Sequence, residues 1–433
     1  MNTRTATGTA PSIIPLETEA PRAVTPSLLA KLGRKLLLGQ LAKLQHGQLR
    51  LIEPAGEHRF GKRSAQCDLA VTVHIDNPQF FADVAFGGTV GAGEAYIRGL
   101  WRCDDLTALV RIFVRNRELM NGMDSRWSLL SKPLLKLFHL LNRNSKAGSA
   151  RNITAHYDLG NDLYELMLDE TMMYSCAIFP HEGASLHEAQ IAKLDAVCRK
   201  LALGPRDHLL EIGTGWAGLA IHAAKRYGCR VTTTTISRAQ HDYARDKIAR
   251  LGLTDRITLL FQDYRDLTGQ FDKLVSIEMV EAVGANYLET YLAKCSSLLK
   301  PDGTMLLQAI TIQDQNYRQA LGSVDYIQRF IFPGSFIPSV TALATALCAA
   351  TDMKISHLED IGPHYATTLR HWRERFFASL AAVRKLGLSD SFVRLWEFYL
   401  CYCEGGFIER ALGDVHILLA KPGSRNAVIS ACA

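Results

Sequence analysis

The chain has 433 residues, of which 48% are hydrophobic and 21% are charged, and its formal net charge is +6. This length exceeds what one ordinary core holds, so we expect two domains, and the composition excludes an intrinsically disordered protein. The modest positive charge does not require a nucleic-acid partner, and it would equally suit a surface that meets anionic lipid.

Residues 1–24 are predicted to form a flexible tail, because they lack the long apolar core and the small-residue cleavage site of a signal peptide. No apolar run reaches the roughly 18 residues that a membrane-spanning helix needs. The ten cysteines include no C-x-x-C pair, which indicates free thiols in a reducing compartment. We therefore expect a cytoplasmic protein that is either soluble or peripheral to a membrane.

Residues 25–110 are predicted to form a small α+β domain, which opens with a helix over residues 27–45. Leucines occupy one half of this helix, and its charged residues are all positive: Lys31, Arg34, Lys35 and Lys43. Such a helix can pack its leucine face on its own domain, which is the more common arrangement, or lie on a membrane as a basic amphipathic helix. Residues 66–76 alternate between apolar and polar side chains, which predicts a strand.

Residues 111–151 are predicted to form a basic amphipathic linker. The segment holds eight Lys and Arg residues from Arg115 to Arg151 but only two acidic residues, Glu118 and Asp124. Leucine-rich stretches lie between the basic residues. Such a segment is usually a solvated helix and linker. It also suits attraction to a negative leaflet, at about 1 kcal/mol per basic residue near the surface.

Residues 152–425 are predicted to form a catalytic domain in which strands and helices alternate. The predicted strands are 208–212, 229–235, 256–261, 272–278, 303–311, 354–360 and 414–420. The predicted helices include 217–227, 238–251 and 286–299. This alternation predicts a parallel sheet with helices on both faces. The aromatic-rich stretch 313–338 interrupts the pattern and is interpreted as an inserted lid.

A glycine turn, Gly213-x-Gly215-x-x-Gly218, follows the first predicted strand of this domain. Glu211 just before it would repel a pyrophosphate but would suit a cation such as the α-amino group of a methionine tail. The second strand ends in VTTTTIS, with no acidic residue until Asp242, so the carboxylate that holds a dinucleotide ribose is missing. No GK[ST] follows the turn either. The turn therefore favours a ligand with a cationic group, such as the methionine tail of S-adenosylmethionine, over a nicotinamide or flavin.

Further segments agree with this cofactor. Asp263 and Tyr264 follow the third strand, where an acid can accept from an adenine amine and an aromatic ring can stack. LLKPDGTMLLQ has the helix end, turn and strand of class I methyltransferases, and the segments in this order resemble that Rossmann-like family.

Several longer motifs resemble the cyclopropane-fatty-acyl-phospholipid synthases. They are HYDLGNDLYELMLDETMMYSCAIF at 156–179, TISRAQ at 235–240, VEAVG at 280–284, RFIFPGSFIPS at 329–339 and YLCYCEGGF at 399–407. The resemblance implies methylene transfer to the cis double bond of an acyl chain in a membrane phospholipid. It also implies peripheral contact with the inner face of the cell membrane and a homodimer.

The resemblance also implies the site residues. Family members use a bound bicarbonate as base, and its shell here would be Cys176 (mainly through its backbone), Glu281, Ile310 and Tyr365. Cofactor contacts would come from Tyr174, Ser175, Thr235, Ile236, Ser237 and Gln240. Cys403 matches a cysteine assigned as catalytic in the family, although a thiolate has no obvious step in this mechanism and a structural role is favoured.

Two departures from the family pattern concern its histidines. Gln308 stands where the family has a histidine, and Ala282 replaces the histidine beside Glu281. An amide can orient an anion through its NH₂ but cannot relay a proton, so Gln308 weakens the bicarbonate prediction. Two alternatives therefore stay open: a C-methyltransferase that leaves a methyl or methylene branch, and an idle membrane-bound regulator that binds the cofactor. No motif indicates a metal.

Overall fold

The computed structural model describes residues 26–117 and 160–425. The described residues form two compact units, one of 26–117 with 387–409 and one of 160–386 with 410–425. The predicted tail and residues 118–151 of the predicted linker lie outside the described residues. Within the described ranges, no helix is long and apolar enough to cross a membrane.

In the described residues the first unit contains a four-stranded sheet in the order β2-β1-β3-β4. Its strands are β1 Gly47–Glu53, β2 Gly56–Lys62, β3 Ala70–Ile75 and β4 Trp101–Cys103. Its helices are Leu28–Leu41, Gln79–Ile97, Leu106–Arg115 and Asp390–Ile408. The α+β class and the strand within 66–76 are confirmed. Residues 111–115 belong to a helix of this unit rather than to a linker.

The first helix, Leu28–Leu41, divides its leucines between the core and solvent. Leu37 and Leu41 are buried, in agreement with packing on its own domain. Near the other end, Leu28 is 85% exposed and Leu29 is 62% exposed. Arg34 is partly exposed and pairs with Glu53 within the unit.

The helix Asp390–Ile408 belongs to the first unit, although the sequence predicts an uninterrupted catalytic domain over 152–425. The hydroxyl of Tyr96 donates to Glu397 Oε2 at 2.7 Å, and Arg111 and Arg115 each contact Glu409 at 2.7 Å. An apolar periodicity shows that a helix has a buried face, but it does not show which core receives that face.

In the described part of the chain, the second unit contains a seven-stranded sheet in the order β10-β11-β9-β8-β5-β6-β7. Its strands are β5 His208–Ile212, β6 Arg230–Thr235, β7 Ile257–Phe261, β8 Phe271–Ile277, β9 Leu299–Ile312, β10 Lys354–Asp360 and β11 Leu412–Ala420. All seven predicted strands are present. The strands β5 to β9 are parallel, but β11 runs antiparallel to both of its neighbours, β9 and β10. Hydrophobic pattern encodes burial and not strand direction, so the sequence analysis missed this reversal.

Helices cover both faces of this sheet. Leu209 and Leu210 point to opposite faces because side chains alternate along a strand, and they belong to different buried clusters. The cluster around Leu209 receives helices Leu186–Lys200, Gly218–His222 and Arg238–Arg250. The cluster around Leu210 receives helices Leu288–Ser297 and Val340–Ala350. Further helices are Asn161–Met167, Gly362–Ala378 and Leu380–Lys385. The predicted two-sided α/β architecture is confirmed.

The inserted stretch 313–338 contains the short helices Asp314–Leu321 and Tyr326–Phe330. Tyr326 and Phe336 are buried, and the backbone N–H of Phe336 donates to the carbonyl of Glu281 at 3.0 Å. Part of the insertion is therefore anchored in the core, and its function as a lid stays a prediction.

Candidate active site

The glycine turn begins where β5 ends. Gly213 has φ +104° and Gly215 has φ +51°, in the left-handed region that glycine adopts without a steric cost. The N–H of Gly213 donates to the carbonyl of Thr234 at 3.1 Å, which holds the turn against the end of β6. A β-carbon at Gly215 would meet no atom within 4 Å, so the turn faces open space. A turn of this kind fits the close approach of a ligand to the backbone.

Glu211 lies buried on β5, directly before the turn. Its Oε2 accepts a hydrogen bond of 2.6 Å from the hydroxyl of Thr233. Burial raises the pKa of Glu211 to about 8, against the opposing effects of the Thr233 hydrogen bond and the charge of Lys193. The carboxyl is therefore largely protonated at neutral pH, and a cation bound beside it would favour release of that proton.

Glu211→Gln is expected to flatten the pH dependence of stability. Because the folded-state pKa lies above that of the unfolded chain, the contribution of this carboxyl is full below about 4.5 and is lost as the pH rises through about 8. Each pKa unit corresponds to roughly 1.4 kcal/mol. Raising the pH from about 5 to about 9 should therefore lower the free energy of unfolding less in the variant than in the wild type, by a difference of several kcal/mol. Chemical denaturation at both pH values checks this, with the exposed Glu289→Gln as control. Parallel pH profiles for wild type and Glu211→Gln would contradict it.

The predicted cofactor residues after β6 bond to one another. The hydroxyl of Thr235 donates to Gln240 Oε1 at 3.0 Å and accepts from the N–H of Ser237 at 3.1 Å. The hydroxyl of Ser237 in turn caps the helix Arg238–Arg250. Ile236 is half-buried between them. These side chains shape the loop at the end of β6, beside the glycine turn.

The two predicted cofactor residues after β7 differ in location: Asp263 lies in a loop and Tyr264 lies in the core. Asp263 accepts from the guanidinium of Arg265 at 2.8 Å. Tyr264 is 9% exposed and packs edge-on against Tyr291, with ring centroids 5.2 Å apart. Its packing role in the core was not expected from the sequence, which predicted a stacking surface for adenine.

The centre of the candidate site is Glu278, which the sequence analysis did not single out. This residue follows β8 with φ +46°, an unusual backbone conformation for a residue with a side chain. Its Oε1 accepts from the backbone N–H of Cys176 at 2.8 Å and from Gln308 Nε2 at 2.8 Å. Its Oε2 accepts from the hydroxyl of Tyr365 at 2.6 Å. Three of the residues predicted to hold an anion thus surround a carboxylate of the chain itself.

A buried relay fixes the orientation of the Gln308 amide. Lys200 donates to Nδ1 of His416 at 2.7 Å, and burial together with the charge of Lys200 lowers the pKa of His416 well below its usual range. The neutral imidazole therefore carries its proton on Nε2, which lies 3.0 Å from Gln308 Oε1. With its oxygen engaged in this way, Gln308 must present its NH₂ to Glu278 and to Asp414, which is 3.0 Å away.

Two neighbours of Glu278 are held in their protonated forms. Asp414 is fully buried, and burial followed by the charge of Glu278 raises its pKa well above its usual range. Burial likewise raises the pKa of the Cys176 thiol, so this residue contributes its backbone N–H rather than a thiolate.

Glu281 and Ile310 contact each other beside this centre. The N–H of Ile310 donates to Glu281 Oε1 at 2.6 Å, while Oε2 is buried and has no hydrogen-bond partner among the described residues. Burial, and secondarily the charge of Glu278, raises the pKa of Glu281 to about 8.

An aromatic cluster connects the glycine turn with Glu278. We define it by six rings: Tyr164, Tyr174, Trp216, Phe332, Tyr365 and Trp372. Successive ring centroids lie 4.9 Å apart from Trp216 to Tyr164, 5.2 Å to Tyr174, 5.1 Å to Trp372 and 6.0 Å to Tyr365. Phe332, from the inserted stretch, lies 6.4 Å from Tyr174. Trp216 belongs to the glycine turn and Tyr365 holds Glu278, so the cluster spans the two halves of the site.

The remaining predicted residues are Ser175 and Cys403. Ser175 accepts from Nζ of the buried Lys193 at 2.8 Å, and burial lowers the pKa of that lysine to about 8. Cys403 is half-buried on the helix Asp390–Ile408 of the first unit, whereas every other predicted catalytic residue belongs to the second. A structural role agrees with this location.

Comparison with known proteins identifies the family of the chain. Residues 144–417 match the family model described as mycolic acid cyclopropane synthetase. Over 340 residues the chain is 36% identical to the cyclopropane-fatty-acyl-phospholipid synthase of Escherichia coli (strain K12), which covers 78% of this chain and 85% of that protein. The chain belongs to this family.

Other family members extend the comparison. The tuberculostearic acid methyltransferase UfaA1 of Mycobacterium tuberculosis is 34% identical over 402 residues, or 91% of this chain and 92% of that protein. The crystal structure of the mycolic acid cyclopropane synthase CmaA1, complexed with SAH and CTAB, matches with a TM-score of 0.59 at 28% identity, over 63% of this chain and 98% of that one. This enzyme is therefore an S-adenosylmethionine-dependent methyltransferase, and the predicted fold and cofactor are confirmed.

The site of this family member does not fit a bicarbonate. The donors that the resemblance assigns to the anion already donate to carboxylates of the chain: Cys176, Gln308 and Tyr365 to Glu278, and Ile310 to Glu281. A second anion would have to displace Glu278 and then lie beside it, which like charges disfavour.

Proposed function

We propose that this enzyme transfers one carbon to the cis double bond of an unsaturated acyl chain in a phospholipid and closes a cyclopropane ring. The coarser activity, S-adenosylmethionine-dependent modification of lipid, is common to the relatives named above. The observation that carries the finer proposal is the aromatic cluster, which joins the glycine turn to the carboxylate of Glu278.

The residues of the cluster suit an alkene substrate. S-adenosylmethionine supplies an activated methyl group, but an alkene is a feeble nucleophile, so alignment and the exclusion of water must provide most of the rate. Attack by the alkene leaves a positive charge on the acyl chain. The faces of Tyr174 and Trp372 can stabilise that charge by cation–π interaction, and they keep water out. A base must then remove a proton.

A methyl- or methylene-branched product is the second candidate. Two observations support it. The sequence of a tuberculostearic acid methyltransferase matches 91% of the chain, and Gln308 stands where the family has a histidine. Both products begin with the same alkylation, and they differ in which bond the released electron pair forms.

Product analysis distinguishes these candidates. Vesicles of a defined cis-monounsaturated phospholipid are incubated with the enzyme and a methyl-labelled donor, and the acyl chains are analysed by mass and by the upfield proton signals of a cyclopropane ring. Ring signals support the first proposal, and a labelled branch supports the second. If no label reaches the lipid, both fail and the regulator hypothesis is favoured.

We also propose that the first helix and the residues just after it meet anionic lipid. Lys31, Lys35 and Lys43 are exposed, as are Leu28 and Leu29. Replacing these three lysines with Gln should weaken binding to anionic vesicles, most strongly at low salt where charges are least screened. Sedimentation of vesicles at two salt concentrations measures this, with Lys225→Gln as control. Equal binding of the triple variant and wild type at low salt would refute it.

A further inference from the structure

We infer that the carboxylate of Glu278 is the base of the reaction, a catalytic residue that occupies the place of the family's bicarbonate. This inference rests on the proposed function, which requires removal of a proton from the alkylated acyl chain. It assigns that step to a side chain of this enzyme and makes the reaction independent of added bicarbonate.

The hydrogen bonds show that Glu278 is placed as a functional group. Its donors come from three separate parts of the second unit: the loop with Cys176, strand β9 with Gln308, and the helix Gly362–Ala378 with Tyr365. A carboxylate has about four acceptor positions: these donors take three of them, and the buried Asp414 carboxyl also hydrogen-bonds with Glu278. The left-handed backbone at Glu278 is the kind of local strain that persists at functional sites.

Four polar groups around Glu278 are unsuited to take this proton. Tyr365 and the backbone of Cys176 are donors, and the Gln308 amide has no basic atom. The nitrogens of His416 are engaged by Lys200 and Gln308.

The remaining carboxyls do not replace Glu278. Asp414 is fully buried and approached by the Gln308 amide, and its environment keeps it protonated. Glu281 accepts from the N–H of Ile310 and is largely protonated at neutral pH. The charge of Glu278 contributes to both effects, because a nearby negative charge disfavours the ionised form of a carboxyl.

The step balances without another reactant. The π electrons of the alkene form a bond to the transferred carbon as the carbon–sulfur bond breaks, and the neutral sulfide leaves. Glu278 then takes a proton from the transferred carbon. The electron pair of that C–H bond closes the ring onto the cationic carbon. The positive charge leaves the acyl chain with the proton, which neutralises the carboxylate.

Glu278→Gly and Glu278→Gln test this assignment, with the exposed Glu289→Gln as matched control. Glycine suits the φ of +46°, so the glycine variant should fold while leaving the three donors around an anion-sized space. In bicarbonate-depleted buffer, wild type should keep its full turnover and both Glu278 variants should lose roughly 10²–10⁴-fold. Added bicarbonate should raise the turnover of Glu278→Gly at least roughly tenfold, because an external base can then occupy the space. It should not raise the turnover of Glu278→Gln.

A binding measurement gives an independent readout. With ¹³C-bicarbonate, a bound resonance should appear for Glu278→Gly and not for wild type, and SAH binding by calorimetry confirms that each variant is folded. Wild-type turnover that falls on bicarbonate depletion, or a Glu278→Gln variant within about threefold of wild type, would overturn the assignment. A wild-type enzyme that alkylates no lipid under any condition would instead overturn the proposed function.

Discussion

Replacing Tyr365 with phenylalanine is expected to lower turnover about 100-fold while the fold is kept, a loss in the range found for acid–base groups. The hydroxyl of Tyr365 donates to Glu278 Oε2 at 2.6 Å, and its ring closes the aromatic cluster beside Trp372. Phenylalanine retains the ring but leaves Oε2 without this donor, so only the two donors to Oε1 still orient Glu278. The stability cost should be only about 1–2 kcal/mol.

Initial rates of label transfer to phospholipid vesicles measure the effect. Tyr227→Phe is the matched control, because its hydroxyl contacts Asp195, away from the candidate site. A Tyr365→Phe variant with more than about a third of wild-type turnover would show that this contact does not matter for the chemistry.

Gln308→Leu should reduce both stability and activity. The amide bonds to His416 and to two carboxyl groups, Glu278 and Asp414. Leucine has a similar volume but makes none of these bonds, so buried polar groups lose their partners. We expect the free energy of unfolding to fall by about 2–4 kcal/mol and turnover to fall at least about 10-fold.

Denaturant titration and the same transfer assay check this result. The control is Gln313→Leu, which removes an exposed amide that donates to the carbonyl of Arg410 at 3.3 Å and accepts from Asn316 Nδ2 at 2.7 Å. Wild-type stability in Gln308→Leu would mean that the relay from Lys200 through His416 does not depend on the amide.

The sequence predicted much of the catalytic fold. Each strand of the second sheet is a short apolar run between turn signals, so β5 to β11 could be located from pattern alone. Strand direction and the choice of core could not be found in this way. The reversed β11 and the transfer of helix Asp390–Ile408 to the first unit depend on tertiary contacts that no local periodicity encodes.

The candidate site was predicted in part. Cys176, Gln308 and Tyr365 were identified from motifs, and they do come together. Glu278, Asp414 and His416 were missed because each lies in or beside an apolar strand and matches no motif used. A signal for Glu278 was present: two glutamates, three residues apart, interrupt the apolar run SIEMVEAV. An ionisable residue in such a run needs buried partners, which only the fold reveals.

The presence of Glu278 accounts for a glutamine, instead of the family's histidine, at position 308. The Gln308 amide cannot relay a proton as a histidine can, but it can donate a hydrogen bond to a carboxylate of the chain. The departure that weakened the bicarbonate prediction thus agrees with an enzyme whose anion is its own side chain.

The fate of the transferred hydrogens shows whether Glu278 removes a proton from the transferred carbon. With a donor carrying a deuterated methyl group and a defined cis-monounsaturated phospholipid, in bicarbonate-depleted buffer, the acyl product is examined by mass and NMR. We expect the transferred carbon to appear in the lipid with one deuterium lost, and we expect Glu278→Gln to abolish this product. A lipid methyl group that retains all its deuterium, or a wild-type reaction that requires bicarbonate, would contradict it.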